Sequence, residues 1–264
     1  MVELRVRRVL LVATASVAVL VGLGTEAFLH WVPVSAWSSP KPATCLASGC
    51  FCEAIRWGEP VLQPVNSWSS LTFLVPAAIV LAGLPAPGHP ARGWMGLFAA
   101  SLTVTAMGSA AYHAALTFDA QFLDVLGMYL TAGVMIFYAV ARARKDGSWR
   151  RRAWLGYGAY VTVAAVALVG VPDLRRWLFG VLLILAITLE VAGPLRSRPR
   201  GDIRIFFAGV ALFAAAFLIW WLDQSLLLCW PTSPLQGHAI WHLLGAAASG
   251  LLFVHYAREW SLHP

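Results

Sequence analysis

The sequence predicts an all-α, polytopic transmembrane helical bundle, a seven-helix core with one extra helix at its N-terminus. Three observations predict it. Of 264 residues, 59% are hydrophobic and only 12% are charged, whereas a soluble domain carries about 25% charged residues. The apolar residues come in long unbroken runs, not in alternation, which selects helices over a closed barrel, the two architectures a bilayer admits. The net charge of +7 is concentrated in arginine clusters between those runs. Such clusters are the mark of cytoplasmic loops and do not call for nucleic acid.

Residues 1–31 hold a basic head, Arg5 to Arg8, and an apolar run from Val9 to about Leu29. That run is long enough to span the bilayer, and Ala-x-Ala cleavage chemistry after it is weak. A retained signal anchor is therefore expected, with a cleaved secretory signal peptide as the alternative. Residues 32–65 form an extracytoplasmic loop, and the core occupies 66–257. Its spans are expected at about 66–84, 94–116, 120–141, 153–171, 175–193, 204–226 and 237–257. Pro85 and Pro87, Pro172, Pro194 and Pro199, and Pro231 and Pro234 punctuate the gaps, as helix stops should. Residues 258–264 are left as a short tail. No internal repeat and no soluble domain is visible.

Charge orients the bundle. Arg142, Arg144, Lys145 and Arg150 to Arg152 crowd one loop, and Arg196, Arg198, Arg200 and Arg204 another. With eight spans and both termini cytoplasmic, the two clusters fall inside, as the positive-inside rule asks. The same count puts all four cysteines, Cys45, Cys50, Cys52 and Cys229, outside, where disulfides persist. The cysteines took no part in setting the topology, so their placement checks it independently.

The polar residues inside this apolar sequence carry the chemistry. His238 and His242 open the last span four residues apart, on one helix face. Ser109 and His113 repeat the spacing near the outer end of the third span, and Asp124 begins the fourth. All come to one depth on the extracytoplasmic side, where an unpaired ionisable group is costly. One histidine alone would more simply bond to backbone or water. Three with an aspartate point to a metal site with ligands His113, His238 and His242. Three histidines are the set of catalytic zinc, which keeps one position open and acidifies a bound water to a pKa of about 7. Asp124 is the candidate proton shuttle, or alternatively orients a ligand imidazole. Ser109 is the candidate oxyanion donor, or alternatively bonds back to its own helix.

These residues fall in an ordered set. Cys52-Glu53, Asn66-Ser-Trp-Ser69, Ser109-x-x-x-His113 with Asp124, Trp220-x-x-Asp223 and His238-x-x-x-His242 together resemble the alkaline ceramidase family. That family shares a superfamily with progestin/adipoQ receptors and GPI-anchor remodelling hydrolases. The resemblance runs from about Cys50 to Tyr256. It implies a seven-helix core, zinc on the residues matching His113, His238 and His242, and catalytic roles for Ser109 and Asp124. It also pairs Cys52 with Cys229, in agreement with their common side, and leaves Cys45 to pair with Cys50. Four free thiols packed as small apolar groups are the other reading.

One feature of the family is incomplete here. Its calcium site uses an Asp-Trp-Cys-Glu stretch with later acidic and amide residues, and calcium needs oxygen ligands. Cys50-Phe-Cys-Glu53 keeps the Glu and loses the Asp, Ile55 replaces an amide, and Gln63 replaces a later acid. Glu53 is left to pair with Arg56 or to cap a helix. Glu190, deep in the sixth span, is a pocket group or a partner for a hydroxyl. Trp220, Trp221, Trp230 and Trp241 are expected as interface anchors rather than ligand stackers.

The function expected is a zinc-dependent hydrolase of a lipid amide, ceramide or a related N-acyl lipid, acting in the membrane by attack of zinc-bound water. A receptor or lipid-binding protein without turnover, or a lipid ester hydrolase, are the alternatives. Ser109 and Asp124 beside the three histidines favour an enzyme over a receptor, since binding needs no proton shuttle.

Overall fold

A computed structural model describes residues 40–143, 147–194 and 203–262, with isolated positions before residue 40. The expected N-terminal anchor lies outside the described residues, apart from isolated helical positions between 15 and 24. The rest is helical: α1 (Pro64–Ser70), α2 (Leu74–Ala82), α3 (Ala91–Ala115), α4 (Phe118–Ala143), α5 (Gly147–Gly170), α6 (Arg175–Ala192), α7 (Ile203–Gln224) and α8 (Gly237–Leu262). Among the described residues, six segments are long and apolar enough to cross a membrane. The remaining one, α6, has 18 residues and carries Arg175 and Arg176 in its first turn and Glu190 in its last.

Two differences from the sequence reading have physical causes. The expected span 66–84 is not one helix, because α1 and α2 are separated by a 3-10 turn at Leu71–Phe73. Pro76 has no N–H to offer the carbonyl four residues back, and its ring crowds that carbonyl. At its other end the chain stays helical through Leu262, beyond the expected stop at 257. There Glu259 reaches back to pair with Arg142 of α4.

α3 is the central helix. Its Trp94, Met95, Phe98 and Leu102 are fully buried and pack with Val134 of α4 and Tyr256 of α8. It closes on α4 at glycines. A Cβ on Gly108 would lie 2.7 Å from the backbone nitrogen of Asp124, and one on Gly127 would lie 2.6 Å from that of Thr105. Any larger residue at these contacts would force the two backbones apart. The glycines therefore place Ser109, the next residue along, against the start of α4.

A strap of chain covers the end of the bundle where α3 stops and α4, α6 and α8 begin. Leu116 ends α3 in the left-handed region (φ 47°). Ala43 donates its N–H to the Leu116 carbonyl at 2.8 Å, and Leu62 donates to Ala114 at 3.0 Å. Cys45 bonds Cys50, and Cys52 bonds Cys229, so the strap is stapled both to itself and to the loop before α8. The Cys52–Cys229 bond is the one implied by the family resemblance, and Cys45–Cys50 is the pair it left over. Glu53 resolves to the cap: its two carboxylate oxygens accept the N–H groups of Val65 and Asn66, each at 2.8 Å, at the start of α1. Burial pushes the Glu53 carboxyl above its ordinary range, and these two donors pull it back.

Candidate metal centre

Two helices bring the ligand candidates together from opposite directions. His113 sits in the last turn of α3, and His238 and His242 occupy the first turns of α8. All three are buried, and one nitrogen from each lies within 4.8 Å of the others. His113 Nε2 and His238 Nε2 are 3.0 Å apart.

Hydrogen bonds on the far sides of the rings decide which atoms face inward. Gln63 Nε2 donates to the carbonyls of Cys50 at 2.7 Å and Glu53 at 2.9 Å, which fixes its amide orientation. Its oxygen therefore accepts from His113 Nδ1 at 3.0 Å, leaving Nε2 of His113 as a lone pair. Ser69 donates its one hydroxyl proton to the Asn66 carbonyl at 3.0 Å. It then accepts from His242 Nδ1 at 2.8 Å, so His242 also turns an Nε2 lone pair inward. Lone pairs converging in a buried space repel unless a cation lies between them. The donor set thus fits a divalent metal, and three imidazoles without a thiolate suit zinc among the common choices.

Ser109 and Asp124 stand beside this point. Ser109 Oγ is 3.4 Å from His242 Nε2 and 3.0 Å from Ser70 Oγ. It is also hydrogen-bonded to the Asp124 carboxylate. As a whole residue Asp124 is half-buried, whereas the three imidazoles are buried. The nitrogens of His113 and His242 that face away are held by Gln63 and Ser69, not by Asp124. The orienting alternative for Asp124 therefore has no contact behind it among the described residues.

Other polar and aromatic residues take structural places, some as expected and some not. Asp223 accepts the Cys52 N–H at 3.2 Å and faces the first amides of α8 at Gly237 and His238, the position of a helix-capping anion. Trp241 is buried against Phe213 and Trp220, so it is a packing residue and not an interface anchor. Trp221 and Trp230 are exposed, as anchors would be. Glu190 is neither a pocket group nor a hydroxyl partner. It pairs with Arg142, at the end of the bundle away from His113, His238 and His242. The roles of Gln63 and Ser69 behind the ligand rings are not written in the sequence pattern. Nothing in periodicity separates them from any other polar residue near a helix start.

A bundle of membrane-length helices with a buried three-histidine cluster at one end defines a polytopic membrane protein with a candidate metal site. The ceramidase family model matches residues 52–262, and the chain belongs to that family. The match supports a ceramide-hydrolysing enzyme and covers every candidate site residue. No curated protein matches the chain.

Proposed function

We propose that the chain is an intramembrane, zinc-dependent amidohydrolase that releases a fatty acid from ceramide or a related N-acyl lipid. The observation that carries this reading is the convergence of three imidazoles at one buried point, with a carboxylate and a hydroxyl beside them. His113, His238 and His242 would hold the zinc and leave one position open. Zinc bound there supplies Lewis acidity toward a carbonyl and lowers the pKa of a water to about 7.

The chain's own groups do the rest. Asp124, beside the cluster, accepts the proton of the attacking water and returns it to the departing amine. Ser109, tied to Asp124 and within reach of His242 Nε2, donates to the substrate carbonyl oxygen as negative charge grows there. Gln63 and Ser69 keep two imidazoles in the tautomer that faces the centre. The helices around the site are of membrane length, which suits an acyl chain entering from the bilayer.

The test is hydrolysis by the purified chain in detergent, offered a panel of lipid amides and esters, before and after chelation. Free fatty acid from N-acyl lipids, lost with the metal and restored by zinc, is expected. Release from esters alone would make it an esterase. Release from neither, with metal bound, would make it a binding protein.

A further inference from the structure

One of the three imidazoles is held unlike the other two. His238 Nδ1 is buried and has no hydrogen-bond partner, whereas His113 and His242 each have one. A metal-ligating histidine ordinarily donates its far N–H to a carbonyl, carboxylate or water, which fixes the ring. His238 instead has the ring of Phe51 over its face, with centroids 3.9 Å apart and planes inclined by 34°. The same ring lies 5.0 Å from His113.

Phe51 reaches this position through an unfavourable backbone. Its φ is 59°, in the left-handed region that an aromatic L-residue rarely enters. Such a conformation persists only where the surroundings over-determine it. Here they do. Cys50 and Cys52, the residues on either side, belong to different disulfides. The Cys50 carbonyl accepts from Gln63, the Cys52 N–H donates to Asp223, and the Ala54 N–H donates to the Pro231 carbonyl at 2.9 Å. Asp223 also faces the backbone amide of His238. One carboxylate therefore references both the segment that carries Phe51 and the helix turn that carries His238.

We infer that Phe51 is a positioning residue for the metal centre. Its ring, clamped between two disulfides, sets the orientation of the His238 imidazole in place of a hydrogen bond, and so sets metal affinity. The inference rests on the three histidines holding a metal. A wild-type chain that takes up no metal would remove both readings, whereas the variants below separate them.

The experiment is a Co(II) titration of the full chain in detergent, read by its visible absorption bands and by competition with zinc. Three variants are compared. Phe51→Trp keeps an aromatic face. Phe51→Leu keeps apolar bulk without one, and Leu116 and Leu226 already hold φ of 47° and 59° in this chain. Phe51→Gly suits the backbone and removes the side chain. The leucine and glycine variants should bind about tenfold more weakly, the scale of losing an orienting contact on a ligand. Their cobalt bands should shift, while the tryptophan variant stays within about threefold of wild type. A leucine variant with wild-type affinity and spectrum would overturn the inference, because any apolar plug would then suffice.

Discussion

The two ends of the bundle hold their buried polar groups by opposite means. At one end three buried imidazoles converge on a common centre, and amide and hydroxyl partners hold two of them from behind. At the other end, about 27 Å further along α4, Arg142 pairs with Glu190 of α6 and Glu259 of α8. Its guanidinium also lies over Tyr138 at 4.4 Å and Tyr256 at 4.8 Å. His255 Nε2 adds a contact to Glu190 at 3.5 Å. The arginine end pairs its charges within the chain and ties three helices together. The histidine end instead gathers three buried side chains that could hold a metal ion. Structure is therefore expected from one cluster and chemistry from the other, and each can be broken without the other.

The largest effect should come from the ligands themselves. His113→Ala, His238→Ala and His242→Ala should each reduce zinc from about one per chain to a small fraction and abolish turnover, since two imidazoles do not make a catalytic site. Elemental analysis of the purified variants measures this, with helix content by circular dichroism unchanged. If all three keep a full complement of metal, the centre lies elsewhere. Next in size, Asp124→Asn should keep the metal and lose about 10²–10⁴-fold in kcat, the range of a lost general acid–base. Asparagine keeps the shape and polarity of the side chain but cannot carry the proton. Near-wild-type turnover would reduce Asp124 to packing at the Gly108 contact.

At the other end the expected loss is of stability, not chemistry. Arg142→Met leaves two buried carboxylates without their cation and should cost about 3–5 kcal/mol. Thermal unfolding in detergent should show the fall, with zinc content unchanged in the folded fraction. Removing the carboxylates as well, in Arg142→Met/Glu190→Leu/Glu259→Leu, should recover most of it, because the cost lies in the orphaned charges. A triple variant as unstable as the single one would mean that the cluster contributes packing rather than charge.

That contrast also explains what could be read before the structure was in hand. A bilayer forces long apolar helices, so the bundle was legible as hydropathy runs between prolines. His238 and His242 were legible because a four-residue spacing is a helical face, and His113 and Asp124 because they fall at the same depth. Arg142 was not. It sits at the head of an arginine-rich stretch and reads as one more loop charge, yet it turns inward to partners 48 and 117 residues away. Glu190 had no assignable role for the same reason. Gln63, Ser69 and Phe51 were equally silent. Their roles depend on a strap folding over the helix ends, and nothing local in Cys50-Phe-Cys-Glu53 announces a left-handed phenylalanine. The break at Leu71–Phe73 was foreseeable from Pro76 alone.

The finest test of the comparison is Gln63, which belongs to the histidine end but never faces its centre. Its amide joins the strap carbonyls of Cys50 and Glu53 to the Nδ1 of His113. Gln63→Leu keeps the buried volume and removes both links. His113 then loses the acceptor that fixes its tautomer, and its Nε2 is a lone pair for only part of the time. Metal affinity should fall by about 10–100-fold, as for other orienting partners of ligand imidazoles. Gln63→Glu should behave differently, because a carboxylate still accepts from Nδ1 but cannot donate to the strap. It should keep affinity near wild type while loosening the strap, which faster proteolysis within residues 40–62 would show. A leucine variant with unchanged zinc affinity would leave His113 oriented by packing alone.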